Sequence, residues 1–125
     1  MSEVLNFIEK VKKENREKLA FFEVLLNDRF EWDNKDTARK IVNINEVVKH
    51  NRDRSEELSL LGLFDLLDKQ NVLMNAIVAS IFSKIDGEER KKIFRRGINE
   101  MIEKIREEYK RLLLIEKNFK KERVS

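Results

Sequence analysis

Apolar residues recur at steps of three and four along most of the chain, the spacing that lines one face of an α-helix. Val4, Ile8, Val11, Asn15, Leu19, Phe22 and Leu26 form a first stripe and predict a helix over 3–27. Ala38, Ile41, Ile44 and Val48 predict a second over 37–50, with Asp36 as its N-cap. Leu60, Leu63, Leu67, Asn71, Met74, Val78, Ile81 and Ile85 keep one unbroken rhythm and predict a third over 56–85. Ser55 caps it, and Glu56 and Glu57 fall in its first turn, where the helix dipole favours acids. Phe94, Ile98, Met101, Ile105, Tyr109, Leu112, Ile115 and Phe119 mark a fourth over 88–121. The pattern predicts an all-α antiparallel bundle of four helices in one domain, 1–125, with the third and fourth as its central hairpin.

The intervening segments punctuate this pattern. Asn27-Asp28 and Asp33-Asn34 bracket Phe30 and Trp32, whose rings are expected to plug one end of the core. The polar run Asn51-Arg52-Asp53-Arg54 is expected to end the second helix, and Asp86-Gly87 to separate the third from the fourth. The third helix carries apolar residues well beyond its stripe, so it needs cover on several sides. The fourth is longer than a compact globule of this mass is wide. Together these features predict an elongated molecule that self-associates, most simply as a dimer, through Leu61, Phe64, Leu66, Leu73, Ile77 and Phe82. Gly62 and Gly97 sit inside predicted helices, where glycine costs about 1 kcal/mol relative to alanine. Their presence predicts a close helix crossing.

Composition narrows the picture. Proline is absent and glycine occurs only at 62, 87 and 97, which leaves little material for the turns that strands need. The absence of cysteine excludes disulfides, thiol catalysis and thiolate metal sites. Net charge is +3, and residues 88–123 hold thirteen Lys/Arg against eight Glu, so an anionic partner would be drawn to the fourth helix. The first residues lack a signal-peptide core, and the cleanest apolar stretch, Val72 to Phe82, is too short to cross a bilayer. A soluble, cytoplasmic protein without membrane contact is expected.

Candidate chemistry is sparse. Asn15 and Asn71 stand at seam positions, where buried amides can fix helix register at a cost in stability, within the chain or across a dimer. Arg90, Lys91, Lys92, Arg95, Arg96 and Arg106 form a basic cluster; Lys92, Arg95, Arg96 and Arg106 fall on the face away from the seam. Such a face can track a phosphate backbone or dock an acidic partner, but Glu88, Glu89, Glu100 and Glu103 interrupt it, and no stacking aromatic accompanies it. His50, the only histidine, has Glu46 one turn before it, without the Glu-x-x-His repeats of a di-metal bundle. It is expected near a helix C-terminus. Asp65 and Asp68 share a polar strip with Lys69, and no glycine-rich phosphate loop occurs. The expected function is therefore a non-catalytic helical interaction module: an oligomerising scaffold, adaptor or small regulatory subunit, without cofactor or metal. The alternatives are a small nucleic-acid-binding subunit that uses the basic face of 90–106, and a metal-dependent enzyme built on Asp and Glu.

Overall fold

The computed structural model describes residues 2–124, with side chains through 122. It holds four helices: α1 (Glu3–Leu25), α2 (Lys35–Glu57), α3 (Leu61–Ile81) and α4 (Gly87–Val124). Among the described residues there are no strands. Close packing joins α1 to α4, α4 to α3, and α3 to α2. Cross-helix contacts run in opposite senses along each pair. Lys12 and Lys18 of α1 meet Glu116 and Glu108 of α4, and Asn45 and Arg52 of α2 meet Asn75 and Asp68 of α3. The result is an up-and-down four-helix bundle.

The core follows most of the predicted stripes, though Ile85, expected to close the stripe of the third helix, lies past the end of α3 and is exposed. Ile8, Val11 and Phe22 of α1, Ile41 and Val48 of α2, Leu63, Leu67 and Met74 of α3, and Phe94, Ile98, Met101 and Leu112 of α4 are fully enclosed. Each such side chain contributes about 1.5–3 kcal/mol through burial. Ile115 packs on the edge of this core, and α1 follows α4 beyond it through Lys12 and Glu116. The aromatic connection closes one end. Trp32 stacks on Phe94 with ring centroids 4.5 Å apart and 17° between planes, and the Arg90 guanidinium lies 5.6 Å from the Trp32 ring.

Helix boundaries depart from expectation around α2 and α3. Asn34, not Asp36, caps α2: its Oδ1 accepts from the Thr37 amide at 2.9 Å, and its own amide donates to the Glu31 carbonyl. The helix then continues through 51–54 to Glu57 because those polar residues find tertiary partners. Asn51 is buried, accepts from Lys10 and donates to Glu14, and Arg52 reaches Asp68 and Asn71. Ser55 does not cap the next helix; its hydroxyl donates back to the Arg52 carbonyl at 2.7 Å. The stop comes at Ser59, whose φ of 60° lies in the left-handed region. The Ser59 amide donates to Glu56 and the Leu60 amide to Ser55, the paired bonds of a Schellman motif. Glycine usually fills this position, so the sequence carried no obvious stop signal. α3 correspondingly starts at 61 and ends at Ile81, where the Arg90 side chain donates to the Ile81 and Ser83 carbonyls.

The breadth of apolar residues on α3 has a simple source: α3 packs closely on both α2 and α4. Ile77, expected on a self-association surface, is instead in the core, where it fills the space left by Gly97. A Cβ at 97 would come within 2.8 Å of Ile77 Cγ1, so the predicted close crossing is present there. Gly62 is covered by the Arg111 guanidinium. No helix is long and apolar enough to cross a membrane among the described residues.

Candidate interaction surfaces and the polar centre

A polar cluster occupies the middle of the bundle. Lys18 of α1 is buried and donates to Glu108 Oε1 of α4 at 3.0 Å and to Gln70 Oε1 of α3 at 3.1 Å. Gln70 Nε2 donates to the same Glu108 oxygen at 2.5 Å. Glu108 is fully enclosed, and its second oxygen has no hydrogen-bond partner. Apolar periodicity marks neither Lys18 nor Glu108 as buried. A lysine flanked by Glu14 and Glu17 carries the ordinary signature of a solvated face. Only the crossing of α1 and α4 turns it inward.

The seam amides separate. Asn71 Nδ2 donates to Asn45 Oδ1 at 2.9 Å, and Asn45 Nδ2 donates to Asn75 Oδ1 at 3.0 Å. An asparagine contact does bridge two helices, but it links α2 with α3. Asn15 is buried one turn before Lys18, and neither of its amide atoms has a hydrogen-bond partner.

The basic cluster of α4 is largely committed inside the chain. Arg90 pairs with Asp33 as well as with the end of α3. Arg95 pairs with Asp28 at 2.5 Å and donates to the Leu26 carbonyl at 3.1 Å, and Arg106 meets Glu23 at 3.7 Å. Lys92 and Arg96 stand exposed, and Lys91 is half-buried. Three of the six predicted contact residues therefore fasten α4 to α1 and to the connections at its end.

The acidic and histidine candidates do not converge. Asp65 pairs with Lys69 at 3.0 Å and Asp68 with Arg52 at 3.2 Å. Glu46 engages Lys49. His50 is exposed in the middle of α2, not at its end as expected, in an open cleft shared with Glu3, Lys10 and Arg54. Among the described residues, no group of three or more His, Cys, Asp or Glu side chains is placed to hold a metal ion.

The outer face of α3 lacks charge. Residues 70–83 contain no charged residue, in a chain that is 41% charged. Val72, Asn75, Ala76, Ala79 and Phe82 face solvent there, with Val72 62% and Phe82 57% exposed. Beside them a groove runs between α3 and α4. Leu73, Ala76, Ile77 and Ser80 line it from one side, and Ile93, Arg96, Gly97 and Glu100 from the other. It continues past Val72 to Asp68, Lys69 and Lys104. Of the six residues expected on a self-association surface, Phe82 lies on this face and half-buried Leu73 borders it. Leu61 is 67% exposed at the far end of α3, and Phe64 and Leu66 are half-buried near it. Ala76 and Ala79 are too small to register in the apolar periodicity; the signal in the sequence is the length of the uncharged run. No family model, curated protein or solved structure matches this chain.

Proposed function

We propose that this protein is a non-catalytic helical interaction module, an oligomerising scaffold, adaptor or small regulatory subunit, that works by receiving a partner helix on the outer face of α3. The observation that carries the reading is the uncharged surface from Val72 to Phe82 beside the α3–α4 groove. Contiguous apolar surface of this kind marks binding faces. A shallow groove between two helices suits an amphipathic helix, which lays down apolar anchors one turn apart.

The basic face of α4 offers less support for nucleic-acid binding, because Arg90, Arg95 and Arg106 already have carboxylate partners. Phosphate contacts would have to displace those pairs or rely on the few cations between them.

The test compares immobilised full-length chain with an Ala76→Glu/Ala79→Glu variant. Both positions are exposed and helical, so helicity should be unchanged. Whatever the native chain retains, copies of itself included, should be lost by the variant. A partner set that the substitutions leave intact overturns the reading, as does a turnover that depends on residues of this chain.

A further inference from the structure

We infer that the second half of α4 docks on an anionic lipid surface, with Leu113 and Leu114 entering the headgroup layer and Lys110, Lys117 and Lys121 meeting acidic headgroups around them. This surface is separate from the outer face of α3, and neither needs the other to act.

Residues 110–121 carry five Lys/Arg against one Glu. Lys110, Leu113, Leu114, Lys117 and Lys121 recur at steps of three and four, so they share one side of α4. All five are exposed, Leu113 by 41% and Leu114 by 47%. Glu103 and Glu107 occupy the same side in the two turns before Lys110 and mark where the basic strip begins. Arg16 adds a cation from α1. It stands exposed one turn after Lys12, and the Lys12–Glu116 and Lys18–Glu108 pairs bring it level with 108–116 of α4. These cations differ from those nearer the start of the helix. Arg90, Arg95 and Arg106 are paired with Asp33, Asp28 and Glu23, whereas Arg16, Lys110, Lys117 and Lys121 form no ion pair among the described residues. The acids beside the strip are already engaged: Glu116 with Lys12, and Glu9 with Lys12 and the nearby charge of Lys120.

Exposed leucines ringed by unpaired lysines suit a surface that is anionic outside and apolar just beneath. The lysine stems lie along the apolar layer while their ammonium groups reach the headgroups. A cluster of about four to eight Lys/Arg on an amphipathic helix is drawn to acidic lipids in this way. A nucleic-acid backbone has no use for the leucines, and the nearest rings, Tyr109 and Phe119, are half-buried and offer no stacking platform. A partner helix needs a groove, but the strip is an exposed ridge, apart from the clefts that α1 shares with α2 and α3 with α4. The expectation of no membrane contact rested on the lack of a spanning segment, and lying on a surface needs none.

The test floats the full chain with vesicles of phosphatidylcholine, alone or with about one part in three of phosphatidylserine. Expected is binding to the mixed vesicles only, falling as salt is added. Lys117→Glu/Lys121→Glu should weaken it by at least about tenfold, and Leu113→Gln/Leu114→Gln by at least about fivefold. All four positions are exposed and helical, so circular dichroism should be unchanged. Lys92→Glu/Arg96→Glu reverses exposed cations near the other end of α4 and should stay within about twofold of the native chain. A native chain that ignores the mixed vesicles overturns the inference. So does a leucine variant that binds as the native chain does, or an equal loss in the Lys92/Arg96 variant, since net charge alone would then explain the attraction. Tighter binding to duplex DNA, lost with the same two lysines, would hand the strip to nucleic acid instead. Ala76→Glu/Ala79→Glu should still bind the mixed vesicles, so this surface and the α3 face are tested separately.

Discussion

Helix α4 meets two neighbours in opposite ways. Against α1 it is laced by charge: Lys12–Glu116, Lys18–Glu108, Arg106–Glu23 and, at its far end, Arg95–Asp28. Against α3 it packs by apolar contact, tight where Ile77 rests on Gly97, with Gln70 as a polar bridge to Glu108. Dispersion and burial tolerate several registers; a buried ion pair tolerates few. We therefore read the α1 side as the seam that selects the alignment and the α3 side as the seam that supplies tight packing. The contrast carries to the surface. Several charges on the α1 side pair within the chain, whereas the α3 side carries an exposed, uncharged face beside the groove.

Four experiments would break or sharpen this contrast. The largest effect is expected on the charged seam. Lys18→Met strands the enclosed Glu108 carboxylate and should cost about 3–5 kcal/mol in chemical denaturation. Lys18→Met with Glu108→Leu should recover most of that loss, since a packed apolar pair replaces the ionic one. If the double variant is no better than the single, Lys18 and Glu108 do not act as one ionic unit.

On the apolar seam, Gly97→Ala forces a methyl group against Ile77. Overpacking costs about 1–3 kcal/mol and the gain in helix propensity returns about 1 kcal/mol, for a net loss of about 1 kcal/mol. A stabilised variant would show that the seam has slack.

The exposed end of the charged seam should matter less. Asp28→Asn removes the Arg95 partner, but Asp28 is 81% exposed, so the loss should stay below about 1 kcal/mol and shrink with added salt.

The smallest effect is a pH dependence from Glu9 and Lys12. Hydrogen bonding with Glu116, then the Lys12 charge, holds the Glu9 carboxyl below its ordinary 4.5. Burial pulls the Lys12 ammonium down, but the charge and hydrogen bond of Glu116, joined by Glu9, outweigh it and raise it above 10.5. A depressed carboxyl stabilises fully above 4.5 and loses its contribution as pH falls through the folded value. A raised ammonium stabilises fully below 10.5 and loses its contribution as pH rises through the folded value. The Tm difference between the native chain and Lys12→Met should thus be level between these limits and narrow beyond both.

Particular residues show how far the chain could be read in advance. The seam of α4 from Phe94 to Leu112 was legible because apolar spacing is a local property, repeated every turn. The aromatic plug was legible because turn residues bracket it. The end of α2 was not: Asn51 and Arg52 look like a terminus until Glu14, Asp68 and Asn71 arrive as partners. Ser59 reads as an ordinary residue until its φ is known.

By itself, then, the sequence determined that this chain makes four helices and which apolar residues supply most of the core. A period of 3.6 residues and the absence of proline are enough for that. Only the tertiary structure decided that Lys18 turns inward to Glu108, that Ile77 is covered by α4, and that Val72, Ala76, Ala79 and Phe82 are left open. Those outcomes depend on which helices cross and at what height, and crossing is a property of pairs of helices that no single stripe encodes.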